Sequence, residues 1–124
     1  MGRYGGVHEK GDIDLIEILE SVRSGENFYR AGAIGIFLGV VRGETSKGER
    51  VERLKLEAYE ELADKTLEKI CQDLIKSREG VIDVRIHHLI GEFDVGDDLV
   101  YVVVAGAHRD DVFWALREAV ERYK

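Results

Sequence analysis

The side chains best placed for chemistry are arginine, histidine and lysine, and they sit at the ends of apolar runs. Arg42 closes the run GAIGIFLGVVR, residues 32–42. An arginine ending an apolar strand can bind an anion at the rim of a sheet. His108, Arg109, Asp110 and Asp111 follow LVYVVVA, residues 99–105. Catalytic groups suit such a place, because the first N–H groups of the helix that follows attract anions. An imidazole there can pass protons near neutral pH. Lys124 closes the charged end ERYK. It joins that chemistry only if the fold returns it, since a helix over 109–123 carries it about 20 Å away. Another strand or another subunit would have to bring the two together. Each group also has a plain structural reading. Arg42 can simply flank a buried strand, His108 and Asp110 can shape a helix start, and ERYK can be a solvated helix end.

Other chemistries fit less well. His87 and His88 are adjacent on a strand-like run, so they point to opposite faces and make a poor pair of metal ligands. Gly35 and Gly39 lie inside an apolar run with no strand–glycine loop–helix order, so they form no dinucleotide fingerprint. No phosphate-loop lysine motif, CxxC or HExxH occurs, and no Ser-His-Asp arrangement stands out. Cys71 is the one cysteine and lies among Ile70, Leu74 and Ile75. It reads as a small buried hydrophobe and excludes an internal disulfide. What remains is a set of cations suited to charge developing on phosphate or carboxyl groups.

These residues need elements to hold them. Asp12 and the apolar spacing after it predict a helix over 12–24, ended by Gly25. Residues 32–42 read as a buried strand, with glycines at 32, 35 and 39 marking a bulge or a close backbone approach. A polar loop, 43–50, leads to a strand over 51–58. A broad apolar face predicts a helix over 60–77, with Gly80 beyond its end. Strands follow at 81–90 and 99–105, with room for a short one near Phe93, and a last helix covers 109–123. Residues 1–11 hold four glycines and read as loosely ordered. The order predicts one α+β domain over 1–124, with helices packed on one face of a mainly antiparallel sheet.

Composition narrows the class. The 124 residues suffice for one domain, and 44% of them are apolar. The formal net charge of −7 argues against non-specific nucleic-acid binding. No apolar run approaches the roughly 18 residues of a membrane span. The start, MGRYGGVHEKGDIDL, lacks a secretory h-region, so a cytoplasmic location is expected.

The segments GAIGIFLGVVRG (32–43), LKLEAYEELADKTLEKI (54–70) and IHHLIGEFDVGDDLVYVVVAGAHRDDVFWALREAVERYK (86–124) occur in an order that resembles the large, MoaE-type subunit of molybdopterin synthase. The resemblance covers about 90 residues. It implies an α/β-hammerhead-like fold and a homodimer carrying a small ubiquitin-like subunit at each end, a heterotetramer. It implies that the small subunit's C-terminal Gly-Gly thiocarboxylate donates sulfur twice to cyclic pyranopterin monophosphate, forming the dithiolene of molybdopterin. It assigns Arg42, His108 and Arg109 to the substrate pocket, with Lys124, His108 and Arg109 catalytic. It calls for no metal and no permanently bound cofactor. Two features depart from the family pattern. The family continues after this lysine with a segment like VPIWKKE, which supplies a second lysine, and it has proline where Ala107 stands. The first departure leaves an alternative expectation, a partner-binding homologue with little or no catalysis.

Overall fold

In the computed structural model, which describes residues 4–124, the strongest apolar runs pair side by side in the middle of one sheet. The elements are β1 (Gly5–Glu9), α1 (Leu15–Arg23), β2 (Ala33–Val40), β3 (Arg53–Leu56), α2 (Glu60–Ser77), β4 (Val81–Asp94), β5 (Asp98–Gly106) and α3 (Arg109–Tyr123), with a 3-10 turn at Phe28–Arg30. The sheet runs β1-β4-β5-β2, and β3 also pairs with β4. Among the described residues only β1–β4 is parallel; the other pairings are antiparallel. The expected α+β class with a mainly antiparallel sheet is therefore the observed one.

The helices pack on both faces of the sheet rather than on one. Leu67, Cys71 and Leu74 of α2 and Val112, Ala115 and Ala119 of α3 meet Val84, Ile86, Val102 and Val104 on one face. Ile18 and Val22 of α1 meet Tyr101, Val103, Ala105, Leu89 and Phe93 on the other. The near-continuous burial of β5 follows from this double cover.

Besides β3, which is shorter than the expected 51–58, four features differ from the sequence expectation. Residues 5–9 of the stretch read as loosely ordered form β1, while residues 1–3 lie outside the described residues. This edge strand is held from outside: Glu68 accepts N–H bonds from Tyr4 (2.6 Å) and Gly5 (3.1 Å), and Asp64 accepts one from Val7 (2.7 Å). Helix α1 begins at Leu15, capped by Asp14 rather than Asp12, with Asp14 Oδ1 accepting the Glu17 N–H at 2.9 Å. The strand at 81–90 and the one near Phe93 are a single strand, β4. Gly91, at φ +127°, falls where β4 leaves β1 and takes up β3. Finally, β2 is an edge strand and not a buried one. Its α1-side face leaves Ile36, Leu38 and Val40 between 41% and 46% exposed.

Candidate functional site

Strand register places the candidate residues. Ala33 pairs with Gly106 and Val40 with Asp98, so β2 and β5 run past each other over their full length. His108 and Arg109 follow Gly106 at one end. Arg42 follows Val41, whose N–H bonds the Asp97 carbonyl at 3.0 Å, at the other end. The nine residues of β5 put about 25 Å between the two positions. Helix α3 leaves the His108 end and runs its 15 residues back along the sheet. Its end lies where the Tyr123 ring meets the His88 ring edge-on, 5.9 Å between centroids, and His88 pairs with Val100 near the start of β5. Lys124 therefore falls at the Arg42 end. One chain brings Arg42 and Lys124 to one end and His108 and Arg109 to the other; it does not unite all four.

At the first end, β5 turns into α3 through only Ala107 and His108. His108 is the N-cap residue, with extended backbone (φ −132°, ψ 156°) and no side-chain capping bond. His108 and Arg109 are both exposed, and neither side chain has a polar partner among the described residues. Their donors are free to meet an anion, beside the open N–H groups of the helix start. Asp110 and Asp111 in the first turn offset the helix dipole. Two further cations border this end, Arg30 donating to the Glu79 carbonyl at 3.2 Å and Arg78 stacking 3.9 Å from the Trp114 ring centroid. The sequence gives no hint of them, because only the pairing of β4, β5 and β2 brings residues 30, 78 and 108 to one rim.

At the second end, Arg42 is exposed beside the buried Val41. Near Lys124 a cavity of about 450 Å³ opens between α2, β3, β4 and the end of α3, lined by Leu56, Tyr59, Leu62, His88 and Tyr123 among others. Burial holds the Tyr123 hydroxyl above its ordinary pKa. The His88 Nδ1 lies 2.9 Å from the Leu89 carbonyl. A carbonyl only accepts, so Nδ1 carries the proton and Nε2 carries it only in the imidazolium.

The two adjacent histidines do face opposite ways. His87 is buried, and its Nδ1 meets His8 Nε2 at 2.8 Å. Burial holds the His87 imidazole well below its ordinary value, to about 4, with the neighbouring His8 and Arg85 adding to the effect. Cys71 is fully buried, and burial pushes its thiol far above the usual range. Among the described residues no three His, Cys, Asp or Glu side chains gather as metal ligands. No helix there is long and apolar enough to cross a membrane.

The fold and these two rims define an α+β protein with exposed cation sets at opposite ends of one sheet. Its affiliation follows from likeness to known proteins. The MoaE protein family profile matches residues 8–124, and the chain belongs to that family. It is 37% identical over 118 residues to the molybdopterin synthase catalytic subunit of Pyrococcus abyssi, covering 95% of this chain and 76% of that protein. It is 35% identical over 117 residues to the protein of that name in Dictyostelium discoideum, covering 89% and 73%. The crystal structure of molybdopterin synthase from Staphylococcus aureus superposes with a TM-score of 0.82 at 30% identity, over 99% of this chain and 84% of that one.

Proposed function

We propose that this chain is the catalytic subunit of a molybdopterin synthase, moving sulfur from a small partner's C-terminal Gly-Gly thiocarboxylate onto cyclic pyranopterin monophosphate. The observation that carries the reading is the 37% identity running through 76% of a protein of that activity. The cation sets suit the reaction. Arg42 and Arg109 offer forked N–H donors to a phosphate or a carboxylate. His108 exchanges protons with the reacting pterin, and the Lys124 ammonium stabilises charge on the thiocarboxylate carbonyl. Sulfur arrives on the partner, so the buried Cys71 takes no part.

The separation of about 25 Å along β5 adds a requirement. We infer that a second copy completes each site, setting the His108–Arg109 rim of one chain against the Arg42–Lys124 rim of its mate. The exposed apolar stripe Ile36, Leu38 and Val40 on edge strand β2 supplies a face for that pairing. The test is turnover: thiocarboxylated small subunit and cyclic pyranopterin monophosphate are mixed with the chain, and dithiolene product is measured by mass spectrometry. Product that is lost in Arg109→Gln supports the assignment; unchanged turnover in that variant removes Arg109 from it.

A further inference from the structure

Three glycines from three separate segments converge on the two-residue turn that carries His108. Gly32, just before β2, donates its N–H to the Gly106 carbonyl at 2.8 Å. Ala107 donates to the carbonyl of Gly80, just before β4, also at 2.8 Å. None of the three has the positive φ that favours glycine. Their common feature is lack of room. A Cβ on Gly32 would overlap the Ala107 carbonyl oxygen, and one on Gly80 would overlap the Asp111 carboxylate. One on Gly106 would lie 2.8 Å from Val112 Cγ2 and 3.2 Å from the Val112 nitrogen, inside ordinary contact distance. Val112, in the first turn of α3, also sits against the bare Gly35.

We propose that Gly32 and Gly80 are positioning residues for the His108–Arg109 turn. Their missing side chains let the approaches to β2 and β4 close on Ala107 from both sides. That grip fixes where the imidazole and the guanidinium project, although neither side chain has a polar partner of its own among the described residues. The inference rests on the sulfur-transfer reading for its functional consequence and on geometry alone for the grip. The two glycines differ in what can yield. At Gly80 the obstacle is the tip of a side chain, so shortening Asp111 makes room. At Gly32 the obstacle is backbone, and only displacement of the turn relieves it.

The experiment compares wild type, Gly32→Ala, Gly80→Ala, Asp111→Ala and Gly80→Ala/Asp111→Ala by amide NMR shifts and by steady-state turnover. In Gly32→Ala, shift changes concentrate in residues 106–112 while β4 and α2 stay unmoved. Its kcat falls about tenfold or more, since small misplacements of reacting groups are costly. Its KM for the small subunit changes less than about twofold, which separates positioning from binding. Gly80→Ala shows a milder loss that Asp111→Ala restores to within about threefold, as coupled neighbours do. Unmoved shifts at 106–112, an unchanged kcat in Gly32→Ala, or a Gly80→Ala defect indifferent to Asp111 would each overturn the proposal. If Gly32→Ala does not fold, the Gly80 and Asp111 cycle decides alone. If wild type makes no product, the sulfur-transfer reading fails while the amide shifts still decide the grip.

Discussion

Arg42 and His108 lie beyond opposite ends of the antiparallel pair β2–β5, because Val40 pairs with Asp98 while Ala33 pairs with Gly106. Within one chain the two side chains cannot hold a single small anion. Chains joined about a two-fold can bring one copy of each together, since a two-fold interface places unlike rims face to face twice. Complementation follows. Arg42→Ala and Arg109→Gln chains, each inactive alone, regain activity when refolded together. A mixed dimer then holds one intact site and one doubly damaged site, so a random mixture recovers about a quarter of wild-type turnover. Turnover assays on the refolded mixture check this, and a mixture as inactive as its parents would place the whole site within one chain.

The stripe Ile36, Leu38 and Val40 on edge strand β2 is apolar, more than two-fifths exposed and uncovered by α1. A charge at its centre faces water at no cost in the isolated chain and is strongly disfavoured inside an interface. Leu38→Glu therefore yields a folded chain whose light-scattering mass is that of one copy, against two for wild type. A wild-type mass equal to one copy at micromolar concentration would remove the two-chain site altogether.

How far the sequence foretold these relations depends on what sets each one. Helix α2 was legible at both ends, because Leu67, Cys71 and Leu74 repeat at helical spacing and meet the core along one stripe. Strand β5 was legible from its unbroken apolar, valine-rich run. The glycines of residues 32–39 read as marking a bulge or a close approach, and both occur: the β2–β5 register shifts between Gly39 and Val40, while Gly35 meets Val112 and Gly39 meets Val100. Strand β1 was not legible, since GGVHE has no alternation and its outer N–H groups are satisfied by Asp64 and Glu68 from a distant helix. Edge position was equally hidden in β2, whose composition matches that of a buried strand. Local sequence named the candidate cations and the roughly 20 Å that the last helix puts between His108 and Lys124, whereas the placement of Arg42 at the Lys124 end is a consequence of register.

Acid should loosen the fold through His87. Its imidazole titrates near 6.5 when unfolded and is held to about 4 by burial and by the nearby His8 and Arg85. Between those values the unfolded chain binds the extra proton, so stability falls as pH falls from about 6.5 towards 4. His8, also held below its ordinary value by burial, acts in the same direction. The contribution from His87 is of the order of 3 kcal/mol at full protonation of the unfolded state. Urea unfolding at pH 7 and pH 4.5 measures it, and His87→Gln flattens the difference. A wild-type unfolding midpoint that does not move between these pH values would show that the buried pair is not kept neutral.

Cys71 offers a test that keeps packing apart from chemistry. Its side chain is fully buried between α2 and the sheet, and burial pushes the thiol far above the usual range, so the native protein presents no thiolate. A thiol reagent in excess should leave the native chain unlabelled and label it stoichiometrically in denaturant. Cys71→Ser buries a hydroxyl where the surroundings are apolar and costs about 1–3 kcal/mol. Cys71→Ala loses only the sulfur's contacts and costs less, about 1 kcal/mol. Both variants keep wild-type kcat wherever they stay folded, because in the proposed reaction the transferred sulfur comes from the partner. Thermal melts rank the two stabilities, and turnover below the lower melting point compares the rates. A Cys71→Ala enzyme that melts like wild type yet makes no product would put this sulfur into the reaction and require a different route for the transfer.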